Sequence, residues 1–162
     1  MISTRKHLDY ALGYLGLNLL AEARAELALI KPADRETPDV LLVEIELAMA
    51  KSAWSRVITL AAKVTRGVPE LERPWIAWAY ALREQNHIGD AYDILIMAEE
   101  VVENPSALLD YNLACYCCLM DDLTEARRRL KRACAREPEW KSEAASDPDL
   151  TALHLKKPRA GS

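Results

Sequence analysis

The chain has 162 residues, which is enough for one domain with a core of its own. Its net charge of −4 shows no basic excess, which argues against a nucleic-acid binder. No apolar run approaches the roughly 18 residues that a membrane span needs. Alanine and leucine are abundant and glycine is scarce, which favours an all-α protein because these two side chains lose little freedom in a helix.

The predicted elements are pairs of helices, and a short polar break separates the two members of each pair. Each first helix carries apolar residues at helical spacing. These residues are Leu8, Leu12 and Leu15; Leu41, Ile45 and Ala48; Trp75, Trp78, Ala79 and Leu82; and Leu109, Leu113, Ala114 and Cys117. The polar breaks are Asn18, Lys51-Ser52, Glu84-Gln85-Asn86 and Asp121-Asp122. Arg5 and Lys6 before an apolar stretch also fit a short signal peptide, but we prefer the helix.

Proline-bearing linkers are expected to follow the second helices. Proline inside a helix loses a hydrogen bond and clashes with the preceding turn, so each of these prolines marks a boundary. The linkers contain Pro32 with Pro38, Pro69 with Pro74, Pro105, and Pro138.

A small-residue pattern recurs in the second helices with a constant period. Ala23, Val57, Ala91 and Ala126 follow one another at intervals of 34, 34 and 35 residues. Small residues at such positions let neighbouring helices approach closely, while larger ones such as Leu95 and Leu130 fill the gaps. The constant period indicates an internal repeat.

These units resemble the tetratricopeptide-repeat (TPR) family, whose pattern combines a small residue in each helix with a closing proline. The fourth unit matches through Ala114, Ala126, Leu130 and Pro138, and the second unit departs most, with Val57 in place of an alanine. The resemblance implies a TPR-like α-α superhelix of about four helix hairpins plus a C-terminal capping helix. It gives one domain over 1–155, with repeats at roughly 4–37, 38–71, 72–106 and 107–140, a cap at 141–155, and a flexible tail at 156–162.

The capping segment contains its own helix-start signal. Asp147 is a predicted N-cap and Pro148 follows at the first turn, so Leu150 and Leu153 are expected to cover the last repeat. Together with Tyr111 to Cys115, this segment resembles the closing unit of bacterial TPR proteins.

Catalytic and cofactor motifs are not found in the sequence. It contains no phosphate-binding glycine loop, nucleophile elbow, paired-histidine zinc motif or dinucleotide fingerprint, so we expect no enzyme activity and no cofactor. His7, His87 and His154 lie far apart and are expected to be surface or packing residues. The basic run Arg127-Arg128-Arg129 is expected to lie on a solvated convex face.

Four cysteines, Cys115, Cys117, Cys118 and Cys134, lie in the last third of the chain rather than across it, which favours a reducing, cytoplasmic location over a disulfide framework. Core packing is the favoured role, because cysteine behaves as a small buried hydrophobe. A thiol or redox role and a metal site are the alternatives, although no histidine stands at a metal-ligand spacing.

In the TPR family the first helices line a concave groove, so the resemblance implies that their inward positions bind the partner. In the matched register these positions are Leu12, Leu42, Glu46, Met49, Ile76, Tyr80, Arg83, Tyr111, Asn112 and Cys115. An apolar and aromatic surface suits an amphipathic helix or an extended apolar segment. Only Asn112 matches the family's carboxylate-clamp residues, so we do not expect that specificity. A register shifted by one residue would instead put these residues in the core.

The sequence therefore predicts a non-catalytic protein–protein interaction scaffold that binds a protein or peptide, with neither nucleic acid nor membrane as its partner. The alternative is a self-associating homodimer whose groove is occupied by its own chain, through Leu153, His154 and Leu155. An enzyme is the least favoured class, because no convergent polar site can be assembled from these residues.

Overall fold

The computed structural model describes residues 2–155, without the side chain of Leu155. Throughout this part of the chain the regular structure is helical and no strand occurs, which confirms the all-α prediction. The predicted flexible tail, 156–162, lies outside the described residues.

Ten α-helices and two short 3-10 turns make up the described chain. The helices are α1 (Thr4–Gly16), α2 (Leu20–Ala28), α3 (Pro38–Ala50), α4 (Trp54–Gly67), α5 (Glu72–Glu84), α6 (Ile88–Val101), α7 (Ala107–Leu119), α8 (Leu123–Arg136), α9 (Trp140–Ser146) and α10 (Thr151–Leu155). The 3-10 turns are Pro32–Asp34 and Pro148–Leu150. Pro74, expected in a linker, instead lies in the first turn of α5, where its missing N–H would have no partner within the helix anyway.

The chain divides into two compact units between Gln85 and Asn86. In the first unit, α1 packs on α2, α3 on α4 and α4 on α5, and the helices α1, α3 and α5 also contact one another in sequence. In the second unit, α7 packs against α6 and α8, and the C-terminal segment from α9 to α10 packs against α7 and α8. The single domain expected from the repeat stays a prediction.

The predicted polar breaks share one backbone conformation. Asn18, Ser52, Asn86 and Asp121 all have positive φ, between 52° and 64°, one residue after the C-cap of the preceding helix. In the first pair the Leu19 N–H donates to the carbonyl of Tyr14 at 2.8 Å, and equivalent bonds follow Ser52 and Asp121. This is the Schellman arrangement, in which a left-handed residue lets the chain satisfy the last helical carbonyls and turn back.

Ser52 is the least suited of these four residues, because asparagine and aspartate tolerate the left-handed region better than serine. We expect Ser52→Gly to raise the free energy of unfolding by about 0.5–1 kcal/mol, since glycine adopts this conformation without strain. Urea denaturation followed by circular dichroism measures the change. Ser52→Ala is the matched control because it removes the hydroxyl and keeps the strain. An equal increase in the free energy of unfolding for Ser52→Ala and Ser52→Gly would contradict relief of backbone strain as the cause.

The repeating small residues lie in the core. Ala23, Val57, Ala91 and Ala126 are all fully buried. In the first unit, residues of α3, α4 and α5 form one apolar cluster, and residues of α1, α2 and α3 form another. Burial of this apolar surface provides the main stabilisation of the first unit.

A buried ion network connects three helices of the second unit. Arg129 on α8 is 4% exposed and Asp110 on α7 is 2% exposed. Arg129 Nη1 lies 3.1 Å from Asp110 Oδ1 and 2.6 Å from Glu99 Oε1 on α6, and its Nε lies 2.8 Å from Glu125 Oε1. Arg129 was expected on a solvated face with Arg127 and Arg128. That expectation is wrong for Arg129, because the run spans both faces of the helix and these carboxylates lie on the inner one.

Removing the buried guanidinium should leave Asp110 without its main partner. We expect Arg129→Met to lower the free energy of unfolding by about 3–5 kcal/mol, as is usual when one member of a buried ion pair is deleted. Arg128→Met is the matched control. Arg128 is exposed, so the loss of its ion pair with Glu125 should cost much less than the loss of the buried Arg129. Urea denaturation of the two variants measures both effects. Equal stability of the variants would contradict the assigned role of Arg129.

The same network makes stability depend on acid. Hydrogen bonds from Arg128 and then Arg129 lower the pKa of Glu125 from 4.5 to about 2, and those from Arg129 lower the pKa of Glu99. A lowered pKa in the folded state contributes stability that is complete above the unfolded pKa and is lost as the pH falls through the folded one. We therefore expect the free energy of unfolding to decrease as the pH falls from 4.5 to about 2.

Denaturation of wild type and Glu125→Gln across this pH range tests the assignment. The variant should lose stability at neutral pH and show a weaker dependence on acid, because glutamine does not titrate. Parallel pH profiles of the two proteins would exclude Glu125 as a source of the dependence.

Candidate functional site

The first unit has an open groove along the helices α1, α3 and α5. The groove encloses a volume of about 240 Å³. Its apolar lining consists of Leu8 and Leu12 from α1 with Leu42 and Val43 from α3. Leu12 is 47% exposed, whereas Leu8 is buried in the core. The groove therefore presents the accessible side chain of Leu12 beside Leu8, which is part of the core.

Charged side chains line the same groove. Arg73 on α5 holds Glu46 on α3 through two hydrogen bonds, Nε–Oε1 at 2.6 Å and Nη2–Oε2 at 2.8 Å, and the bond to Glu46 raises the pKa of Arg73. Arg5 and Asp9 form a looser pair at 3.3 Å on α1. Asp39, in the first turn of α3, completes the lining, so the groove carries three carboxylates against two guanidinium groups.

Three of the ten predicted partner-binding residues, Leu12, Leu42 and Glu46, come together in this groove. Met49, further along α3, is half-buried and packs with Leu42 against the apolar cluster of α3, α4 and α5. Glu46 is committed to Arg73, so its carboxylate serves first to join two helices.

The predicted residues on α5 differ in accessibility. Tyr80 is 39% exposed, and its ring meets that of Trp54 edge to face, with centroids 5.7 Å apart. Arg83 is half-buried and pairs with Glu84 at 2.7 Å. Ile76 is buried, which differs from the expectation of an accessible groove position. Of the predicted residues on α5, Tyr80 is therefore the most available to a partner.

On α7, the C-terminal segment covers the predicted binding residues. Tyr111 stacks on Trp140 with ring centroids 4.4 Å apart, and its hydroxyl donates to Asp147 Oδ2 at 2.7 Å. Cys115 is buried, with its Sγ 3.8 Å from the same oxygen, and Asn112 is half-buried. Leu150 is fully buried in the turn that packs against α7. The surface that Tyr111 and Cys115 were expected to offer is thus occupied by the chain itself.

The three cysteines of α7 behave as core residues. Cys115, Cys117 and Cys118 are all buried, and Cys134 on α8 is half-buried. Burial raises the pKa of all three α7 thiols, that of Cys117 to about 11. A raised pKa leaves little reactive thiolate at neutral pH, which argues against a nucleophilic role and for packing.

Within the described residues, 2–155, one group of potential metal ligands is present, Cys115 with Asp147 and Asp149, whose ligand atoms lie within 4.8 Å of one another. The Asp147 carboxylate is already used by the protein. Its Oδ1 accepts from the Asp149 N–H at 2.9 Å as a helix cap, and its Oδ2 accepts from Tyr111. We therefore assign this group to the attachment of the C-terminal segment.

Each of the three histidines has its own local contact. His7 is buried, with Nδ1 2.7 Å from Glu26 Oε2 on α2. His87 lies 3.7 Å from Asp90, and His154 Nε2 lies 2.8 Å from the carbonyl of Ala144. The contact between His7 and Glu26 was not expected from the sequence, where the two residues are separated by most of a helix pair.

The charged residues of the groove were also missed by the sequence analysis, although a signal for them existed. Three of these charged residues stand three positions before an apolar residue of the predicted inward face. The pairs are Arg5 with Leu8, Asp39 with Leu42, and Arg73 with Ile76. Residues at this spacing share a helix face, so continuing the pattern by one turn toward each N-terminus would have found them.

The fold and the groove define an all-α protein whose first unit presents one face of the helices α1, α3 and α5. Comparisons with known proteins add no closer class: no protein-family model matches the chain, and no curated protein matches it either. Within residues 2–155, no helix has both the length and the apolar character of a membrane span.

Proposed function

We propose that the protein is a TPR-type, non-catalytic scaffold that binds a peptide or helix of another protein. The resemblance of its repeats to the TPR family is supported by the left-handed residues Asn18, Ser52, Asn86 and Asp121, which recur at intervals of 34, 34 and 35 residues. The side-by-side packing of α1, α3 and α5 in the first unit agrees with a face built of first helices. The four unpaired cysteines agree with a reducing compartment such as the cytoplasm.

The observation that carries this proposal is the groove of the first unit, which Leu12 lines with an exposed side chain. Fully burying an exposed leucine side chain contributes roughly 1.5–3 kcal/mol. Since Leu12 is 47% exposed, a partner gains about half of that, which is close to one decade in affinity. Asp39 and Asp9 add negative charge beside it. The preferred ligand is therefore an amphipathic segment with apolar side chains and a basic residue.

The second candidate is self-association, in which the groove of one copy is filled by another. This candidate is supported by the contacts of the C-terminal segment with Tyr111, a predicted inward residue of α7 in the same chain. A second copy offering the same segment to the first unit would form a homodimer.

Affinity capture from a lysate of the source organism, read by mass spectrometry, tests the scaffold. We compare wild type with Leu12→Glu and Tyr80→Glu, which alter the two most exposed predicted groove residues. Leu29→Glu is the matched control, because Leu29 is 64% exposed and does not line the groove. We expect a protein retained by wild type and Leu29→Glu to be lost from Leu12→Glu, at unchanged helicity.

The outcomes separate the two candidates. Equal retention by all four proteins would reject the groove as the binding site. The molar mass in solution, measured by light scattering, tests the other candidate: a two-chain mass for wild type that falls to one chain in Leu12→Glu would replace the scaffold by the homodimer.

A further inference from the structure

A second cleft, in the second unit, is lined by positive charge. It lies between α8 and the C-terminal helices and encloses about 490 Å³. Its cations are Arg127 and Lys131 from α8 and Lys141 from α9, and His154 from α10 also lines it. Among the described residues that line this cleft, none carries a carboxylate. Cationic side chains from two helices, α8 and α9, thus converge on one depression that α10 helps to enclose.

The floor of this basic cleft is apolar. Leu130 and Leu153 line it together with the half-buried Cys134. Apolar side chains beside these cations are not required on a helix face that contacts only water. They would also not contribute to the binding of a small anion. The combination favours a ligand that brings both negative charge and an apolar side chain.

The lysines of the cleft differ from their neighbours on α8. Arg128 pairs with Glu125, and Arg132 pairs with Glu99 and Asp110. Lys131 and Lys141 are exposed and have no carboxylate partner among residues 2–155.

We propose that the basic cleft binds an acidic peptide segment that carries at least one apolar side chain. The carboxylates of the segment meet the cations of α8 and α9, and its apolar side chain rests on Leu130 and Leu153. The cleft is built from other helices than the groove of the first unit, so this inference goes beyond the proposed scaffold function and does not depend on it.

Fluorescence anisotropy with labelled synthetic peptides tests the proposal on the full chain. The probe alternates glutamate with leucine. One reference peptide replaces each leucine by glycine, and a second replaces each glutamate by lysine. We expect the glutamate–leucine probe to bind with an affinity that falls as salt is added. Both reference peptides should bind at least about tenfold more weakly.

Charge reversal in the cleft gives the matched variants. Lys131→Glu with Lys141→Glu should weaken binding of the acidic apolar peptide by roughly tenfold or more. The control is Lys31→Glu with Lys51→Glu, which makes the same change in net charge at exposed lysines of the first unit. Circular dichroism checks that both double variants keep the helicity of wild type.

Cys134 supplies a second readout at the cleft floor. It is the one half-buried thiol of the four, and the other three are buried. Its alkylation by iodoacetamide, located by mass spectrometry, should slow when the acidic apolar peptide is bound and stay unchanged with the lysine peptide.

Each possible result decides for or against the site. If the glycine reference peptide binds as tightly as the probe, the apolar residues do not contribute to binding and the proposal is rejected. Competition by inorganic phosphate would then identify the cleft as a general anion-binding surface. Equal loss in both double variants would reject this location, and unaltered alkylation of Cys134 by a bound peptide would do so as well.

Discussion

The structure depends on a left-handed residue after the first helix of each pair. At Asn18, Ser52, Asn86 and Asp121 the backbone reverses handedness for one residue, which ends one helix and directs the chain into the next. No glycine occupies any of these positions, although glycine is the usual choice. Because this conformation recurs at intervals of 34, 34 and 35 residues, each first helix ends and each turn begins at an equivalent position of the pattern.

The two units satisfy their cores by different means. In the first unit, Ile45 and Val57 belong to an apolar cluster that carries no charge. In the second unit, the single guanidinium of Arg129 reaches carboxylates on α6, α7 and its own helix. An apolar cluster tolerates small shifts of packing, whereas these directed hydrogen bonds specify how three helices face one another. Order in the second unit therefore rests on charge as well as on burial.

The sequence predicted what depends on local pattern. Helix pairs, their polar breaks and the buried positions of Ala23 and Ala126 all follow from periodicity within a single unit. Long-range contacts were not predictable in the same way. The burial of Tyr111 depends on Trp140 and Asp147, which stand about thirty residues later, and that of Arg129 depends on carboxylates of three helices. For the same reason the groove was found only in part, at Leu12, Leu42 and Glu46.

The boundary between the two compact units has a consequence for any attempt to shorten the protein. It falls between Gln85 and Asn86, in the middle of the third helix pair, and is therefore out of phase with the sequence repeat. A truncation after the second repeat would remove Ala77 and Ala81 of α5 from the cluster that they complete with α4. Fragments should instead be divided in the turn at Asn86, because the compact units do not coincide with the period of the sequence pattern.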